Sequence, residues 1–389
     1  MSKLADLLIC YFLLYIFQAG AQPVKQNEYV VRGTIKGIAS GSIRMLSDDG
    51  VVLDSSVIEK GVFIMKGQIG LPERRVFNIS PGNWSFKAFV EGSIIMLVID
   101  TAGAQHFAHN NNKWALIWEI DETGSQLADV YKQYKEETGF RSYTSVLSRL
   151  NEKISSVEGN ADQKAELEKQ IDSIRTLAIS QEKNWIEKYI AKHPKSVAGV
   201  YLFNELYQTS ADIDLAYLQA ILKQFSAPAT ASVYYKQLAV IATNLENIQP
   251  NSSAPDFTLL KRDKTYFSLS TTRGYYTIID FWATWCIPCR RAIPHLKKIY
   301  AKYHPKGLVI VSISNDRNWN AWQVALKKEQ MPWIQVIDKF PNKNQPGTVA
   351  ELYGCKALPL YILLDKEGKI MLTTGNPDEL VKKTEALLN

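Results

Sequence analysis

Two cysteines, Cys286 and Cys289, stand two residues apart at the junction of two differently patterned segments. Before them, Tyr276 to Trp282 is an apolar run with Thr277 and Asp280 as its polar members, which predicts a buried strand. After them, Ile293, Leu296, Ile299 and Tyr300 recur at spacings of three and four, which predicts a helix over 290–303. Cys286 therefore falls where a strand turns into a helix N-terminus. Free backbone N–H groups and the positive end of the helix dipole favour a thiolate there. A pair at this spacing can close a small disulfide ring and reopen it, so it suits electron transfer better than stapling.

Other uses of the pair are poorly supported. A zinc half-site needs a second ligand pair, and the chain has no other CxxC or CxxH. A permanent disulfide closing so small a ring constrains the unfolded chain little. A peroxidatic cysteine wants Pro and Thr upstream, where Ile279 and Ala283 stand.

Residues 253–389 resemble the thioredoxin superfamily, and within it the TlpA/ResA-like thiol–disulfide oxidoreductases. The resemblance is carried by Ala254-Pro255-Asp256-Phe257-Thr258-Leu259, by Trp285-Cys286-Ile287-Pro288-Cys289-Arg290 with Pro294 beyond it, and by Ala357-Leu358-Pro359 leading into the strand Leu360–Asp365. Lys366–Ile370 fits the hairpin that follows. The resemblance implies an α/β thioredoxin-like fold over 249–389 and dithiol–disulfide exchange with protein disulfides, without cofactor or metal.

Roles follow for single residues. Cys286 would attack the substrate disulfide and Cys289 would resolve the mixed disulfide. Asp280, six residues before Cys286, matches the buried acid of thioredoxin. There it would have a raised pKa and shuttle the proton of Cys289, or else only hydrogen-bond backbone. Trp285, Pro288, Leu358 and Pro359 would line the docking surface, with Pro359 in cis leaving the backbone of Leu358 free for a substrate strand. The chain departs from the pattern at Ala292, where Glu is common, and at Leu360, where Thr is common. Cys355 reads as a small buried hydrophobe, or as a third redox thiol. His295 reads as a surface or groove residue.

The amino terminus carries Lys3, an apolar core from Leu7 to Phe17 and the A-x-A site Ala19-Gly20-Ala21, which predicts a signal peptide over 1–21 and export to the periplasm or cell envelope. Retention as an anchor is the alternative. Cys10 would leave with the signal, so disulfide stapling cannot hold the mature chain together. With 389 residues and 46% hydrophobic content, a large core in two or three domains can. The net charge of +6 is spread without a basic run, which argues against nucleic-acid binding.

Upstream of the cysteines the pattern changes twice. Over 27–115, polar and apolar residues alternate between turn signals such as Asp49-Gly50 and Lys60-Gly61, predicting an all-β sandwich or barrel. The run Asp54-Ser55, Gly61-Val62-Phe63 and Gly67-Gln68-Ile69 resembles an uncharacterised β-domain found ahead of TlpA-like domains in envelope proteins. Trp84, Phe86 and Phe89 are expected to form an aromatic cluster that packs in the core, with a ligand shelf as the alternative. Over 120–248 the spacing is helical, with a hairpin broken near Gly159-Asn160 and a later helix from Ala211 to Phe225. No catalytic constellation precedes residue 250.

The expected protein is a multidomain extracytoplasmic thiol–disulfide oxidoreductase, most naturally a reductase. By the resemblance it would be fed by a membrane thiol donor and act on protein disulfides such as those of apocytochrome c. A disulfide oxidase or isomerase, or an envelope scaffold whose redox domain is regulatory, are the alternatives.

Overall fold

The computed structural model describes residues 27–389 except 48, 110–111, 158–160, 211–212 and 343–344. The expected signal peptide with Cys10 lies outside the described residues. Two compact units are present: the described residues up to Leu202 with Ser226–Val233 form one, and Phe203–Phe225 with Tyr234–Asn389 form the other.

The first unit opens with seven strands: β1 (Glu28–Lys36), β2 (Ser40–Leu46), β3 (Val52–Glu59), β4 (Val62–Gln68), β5 (Glu73–Ser80), β6 (Trp84–Val90) and β7 (Ile94–Asp100). The shorter β8 (Gln105–His109), β9 (Asn112–Leu116) and β10 (Asp121–Thr123) complete one ten-stranded sheet in the order β10-β7-β1-β4-β3-β2-β5-β6-β9-β8. Period-two alternation sends Val31, Ile43, Ile58, Phe63, Phe77, Phe86 and Ile95 into one contiguous core, so the sheet curls around it. The two-residue loop Lys60-Gly61 joins β3 to β4 with both residues at positive φ, the geometry of a tight hairpin. Gly33, in the middle of β1, is forced by its register partner: a Cβ there would lie 2.0 Å from the Phe63 ring.

The expected single aromatic cluster splits. Phe86 stacks on Phe77 and Trp84 meets His106, whereas Phe89, an odd number of residues along β6, faces the other way. There Phe89, Tyr131 and Tyr201 surround the Arg74 guanidinium, which also donates to the Tyr201 hydroxyl at 2.6 Å.

Helices follow: α1 (Gln126–Glu137), α2 (Phe140–Ser156), α3 (Ala161–Lys192) and α4 (Val197–Thr209). Ser125 caps α1 by accepting from the Ala128 N–H. Aromatic and polar side chains join α1 to α3. Tyr134 donates to Glu182 at 2.5 Å, and Trp185 donates to Glu137 at 2.6 Å. The expected break at Gly159-Asn160 lies outside the described residues, between α2 and α3.

The helix predicted from Ala211 is α5 (Leu215–Leu222), which starts later because Asp214 caps it through the Tyr217 N–H. Next comes α6 (Val233–Asn247). The second sheet contains β11 (Thr258–Lys261), β12 (Tyr266–Ser268), β13 (Tyr276–Trp282), β14 (Leu308–Ser314), β15 (Ile334–Ile337), β16 (Leu360–Leu364) and β17 (Ile370–Thr374), in the order β12-β11-β15-β14-β13-β16-β17. The central strands β13, β14 and β15 are parallel, and β16 runs antiparallel to β13. The helices of this part are α7 (Ile287–Tyr303), α8 (Trp319–Glu329), α9 (Thr348–Leu352) and α10 (Pro377–Leu388). One face packs Leu296 of α7, Trp322 of α8 and Leu380 of α10; the other packs Val349 of α9 with Ile248. Burial of both faces explains why β13 and β14 read as nearly continuous apolar runs. The expected architecture, a β-rich N-terminal part, a helical middle and a thioredoxin-like C-terminal part, is the one observed.

Candidate active site

The central strand β13 delivers the cysteines. It ends at Trp282, and the short segment Ala283-Thr284-Trp285 leads to Cys286, which is the N-cap of α7. The Cys286 sulfur accepts the Cys289 N–H at 3.2 Å, satisfying one of the free donors of the first helical turn. Cys286 and Cys289 form a disulfide with their Cα atoms 5.3 Å apart. Both are buried, 4% and 3% exposed, while their neighbours Trp285 and Ile287 are 65% and 63% exposed. Two large apolar side chains thus stand in water on either side of the Cys286 sulfur.

Asp280 points to the same face of the sheet as the cysteines, two residues from Ile278 and Trp282, which pack with them. It is buried, and desolvation pushes its carboxyl up to about 7, while the Ser312 hydroxyl, donating at 2.5 Å, pulls it down. Across β16 its register partner is Tyr361. Leu358 packs against the cluster holding the cysteines, and the Leu358–Pro359 peptide is cis. Pro288 sits exposed in the first turn of α7. The structure therefore brings Cys286, Cys289, Asp280 and Leu358 to one apolar layer, with Trp285 and Pro288 at its exposed edge.

Two supports escaped the sequence reading. Asp316, just past β14, accepts from both the backbone N–H and the hydroxyl of Thr284, and so holds the segment leading to Cys286. Arg290, beside Cys289, donates through two nitrogens to Glu329 at the end of α8, each at 2.8 Å. For Asp316 the signal available in the sequence was the alternation Ser312, Ser314, Asp316 at and just past the end of an otherwise apolar strand, since buried polar side chains need partners.

Cys355 is a free thiol whose sulfur donates to the Ala357 carbonyl. Burial first, and then the Asp338 and Asp280 carboxylates, push its pKa up to about 12, which disfavours the nucleophilic thiolate. Among the described residues no group of three His, Cys, Asp or Glu side chains is placed to hold a metal, and no helix is long and apolar enough to cross a membrane.

The thioredoxin-like family profile matches residues 274–370. A thiol–disulfide oxidoreductase ResA of Bacillus cereus is 30% identical over 128 residues, which are 32% of this chain and 69% of that protein. The chain belongs to the ResA-like thiol–disulfide oxidoreductases. ResA of Bacillus thuringiensis subsp. konkukian is 29% identical over 129 residues, 33% of this chain and 71% of that protein. A solved thiol–disulfide oxidoreductase from Bacteroides fragilis is 34% identical and covered along 100% of its length, against 35% of this chain, with a TM-score of 0.33. The two ResA relatives cover about a third of the chain and the family profile falls at residues 274–370, so the ResA-like identity is carried by its C-terminal part.

Proposed function

We propose that this ResA-like oxidoreductase is an extracytoplasmic reductase of protein disulfides that works through a mixed disulfide. The observation that carries the reading is the Cys286 sulfur at the N-cap of α7, where the Cys289 N–H already points at it. Once the pair is reduced, that N–H and the helix dipole favour the Cys286 thiolate, the form that attacks a disulfide. Cys289 then resolves the intermediate. Asp280, buried on the same face and titrating near neutrality, takes the Cys289 proton. Trp285, Pro288, Leu358 and Pro359 receive the substrate chain, in keeping with the exposed apolar surface of Trp285 and Ile287.

Export is supported by the signal-like segment 1–21, and the domains by the changes of pattern: 27–115, 120–248 and 249–389. Electrons arrive from a membrane thiol donor and leave to a protein disulfide, as the family resemblance implies, and apocytochrome c is a substrate of the right kind.

The test is the redox potential of the Cys286/Cys289 pair, equilibrated against dithiothreitol buffers. A value near the reducing end, roughly −270 mV, is expected. A value near roughly −120 mV would make the protein an oxidant and reverse the direction. Failure to cycle would leave a scaffold. Cys289→Ser should also accumulate a substrate adduct on Cys286, which separates the mixed-disulfide route from any other.

A further inference from the structure

Trp333, just before β15, donates its indole N–H to the Ser312 hydroxyl at 2.7 Å, and Ser312 donates to Asp280 Oδ2 at 2.5 Å. All three side chains are buried. An indole nitrogen can only donate, so the serine oxygen must accept there, and its single proton is left for Asp280. The hydroxyl is therefore aimed by a residue outside the strand that carries it. A hydrogen bond donated to a carboxylate favours the charged form, so this chain opposes the effect of burial.

The other groups around Asp280 are weaker levers. Beside Ser312 on β14, the opposite strand β16 contributes Tyr361, whose buried hydroxyl has no hydrogen-bond partner among the described residues. The N-cap and first turn of α7 contribute Cys286 and Cys289, and α8 contributes Trp322 and Leu326. Tyr361 and Cys355 both feel the Asp280 charge, and Cys355 also that of Asp338. Among the described residues no lysine, arginine or histidine is buried in this core. Ser312 is the one donor that the structure gives to the carboxylate among the described residues.

We propose that Ser312 and Trp333 are positioning residues that set the pH at which Asp280 accepts the proton of Cys289. The inference rests on the role given above to Asp280. In the step concerned, the Asp280 carboxylate takes the Cys289 thiol proton, and the resulting thiolate attacks the Cys286 sulfur of the mixed disulfide. The Cys286–Cys289 bond forms and the bond to the substrate sulfur breaks. The electron pair of that bond leaves with the substrate thiolate, which takes a proton from water. Two electrons have then passed from the enzyme dithiol to the substrate disulfide. Ser312 and Trp333 act on this step only through Asp280.

The test follows oxidation of the reduced full-length chain by glutathione disulfide between pH 5 and 9, with rapid acid quench and mass analysis of the intermediates. Ser312→Ala should move the resolution step's rise with pH upward by about one unit, the worth of one hydrogen bond to a charged group. Trp333→Phe should move it the same way by less, and Ser312→Thr, which keeps the hydroxyl, should follow the wild type. Asp280→Asn should lack this limb. An unmoved midpoint in both Ser312→Ala and Trp333→Phe, with the limb absent in Asp280→Asn, overturns the inference and leaves Asp280 its role. A limb that persists in Asp280→Asn overturns both. If Ser312→Ala does not fold, Trp333→Phe decides alone.

Discussion

Thr284 and Asp316 are joined twice: the Thr284 N–H donates to Oδ2 at 2.9 Å and its hydroxyl donates to Oδ1 at 2.7 Å. Ser314 adds a third donor to the same carboxylate at 2.7 Å. A charge 4% exposed is tolerable only because its oxygens are filled this way. The arrangement fixes the approach to Cys286 from the end of β14, the strand beside β13.

Asp316→Ala should therefore destabilise the protein by about 2–4 kcal/mol, because it strands the Thr284 N–H and removes charge-assisted bonds. Urea unfolding of the oxidised chain measures this. A loss within error of zero would mean that the loop is held by its packing alone.

Asp280 gives a stability prediction with a definite sign. Its carboxyl titrates near 7 in the folded chain, well above the unfolded value near 4. The native state thus holds a proton that the unfolded state has released between those values, and stability falls as pH rises from about 4 through about 7. Asp280→Asn removes this dependence. The variant should match the wild type near pH 4 and exceed it at pH 8, by up to about 4 kcal/mol. Parallel unfolding curves at both pH values decide it, and an equal difference at the two would sink the argument.

The raised pKa of Cys355 predicts chemical silence. In the folded reduced protein at pH 8, iodoacetamide should modify Cys286 and leave Cys355 largely unlabelled until denaturant is added. Peptide mass spectrometry reads the sites. Labelling of Cys355 at the rate of an open thiol would restore it as a candidate third redox cysteine.

Arg290 and Glu329 tie the first turn of α7 to the end of α8. Arg290 is partly exposed, so screening reduces the worth of the pair, and Glu329→Gln should cost no more than about 1 kcal/mol. High salt should shrink the difference. A variant unaffected by salt would place the stabilisation in packing instead.

Much of the redox site was legible because its elements are local. The strand into Cys286 and the helix out of it follow from short-range periodicity around the cysteines, and Asp280 was singled out by the resemblance to thioredoxin. Ser312 and Trp333 were not legible, because nothing near either in the chain says that they meet. Their contact comes from the parallel order of β13, β14 and β15, which brings together residues distant in sequence. In the first unit the alternation announced strands, but the split of Trp84, Phe86 and Phe89 needed the phase of β6. The hydrogen bond between Tyr134 of α1 and Glu182 of α3 was likewise hidden, since nothing near either residue in the chain says that they meet.

The hydrogen bond from the Cys289 N–H to the Cys286 sulfur has a consequence for turnover. That sulfur caps α7 when it is half of a disulfide, and a thiolate at the same place is an even better acceptor. The first turn of the helix therefore keeps its end sealed whether the electrons are aboard or not. Opening and closing the disulfide thus calls for no other cap at this helix end.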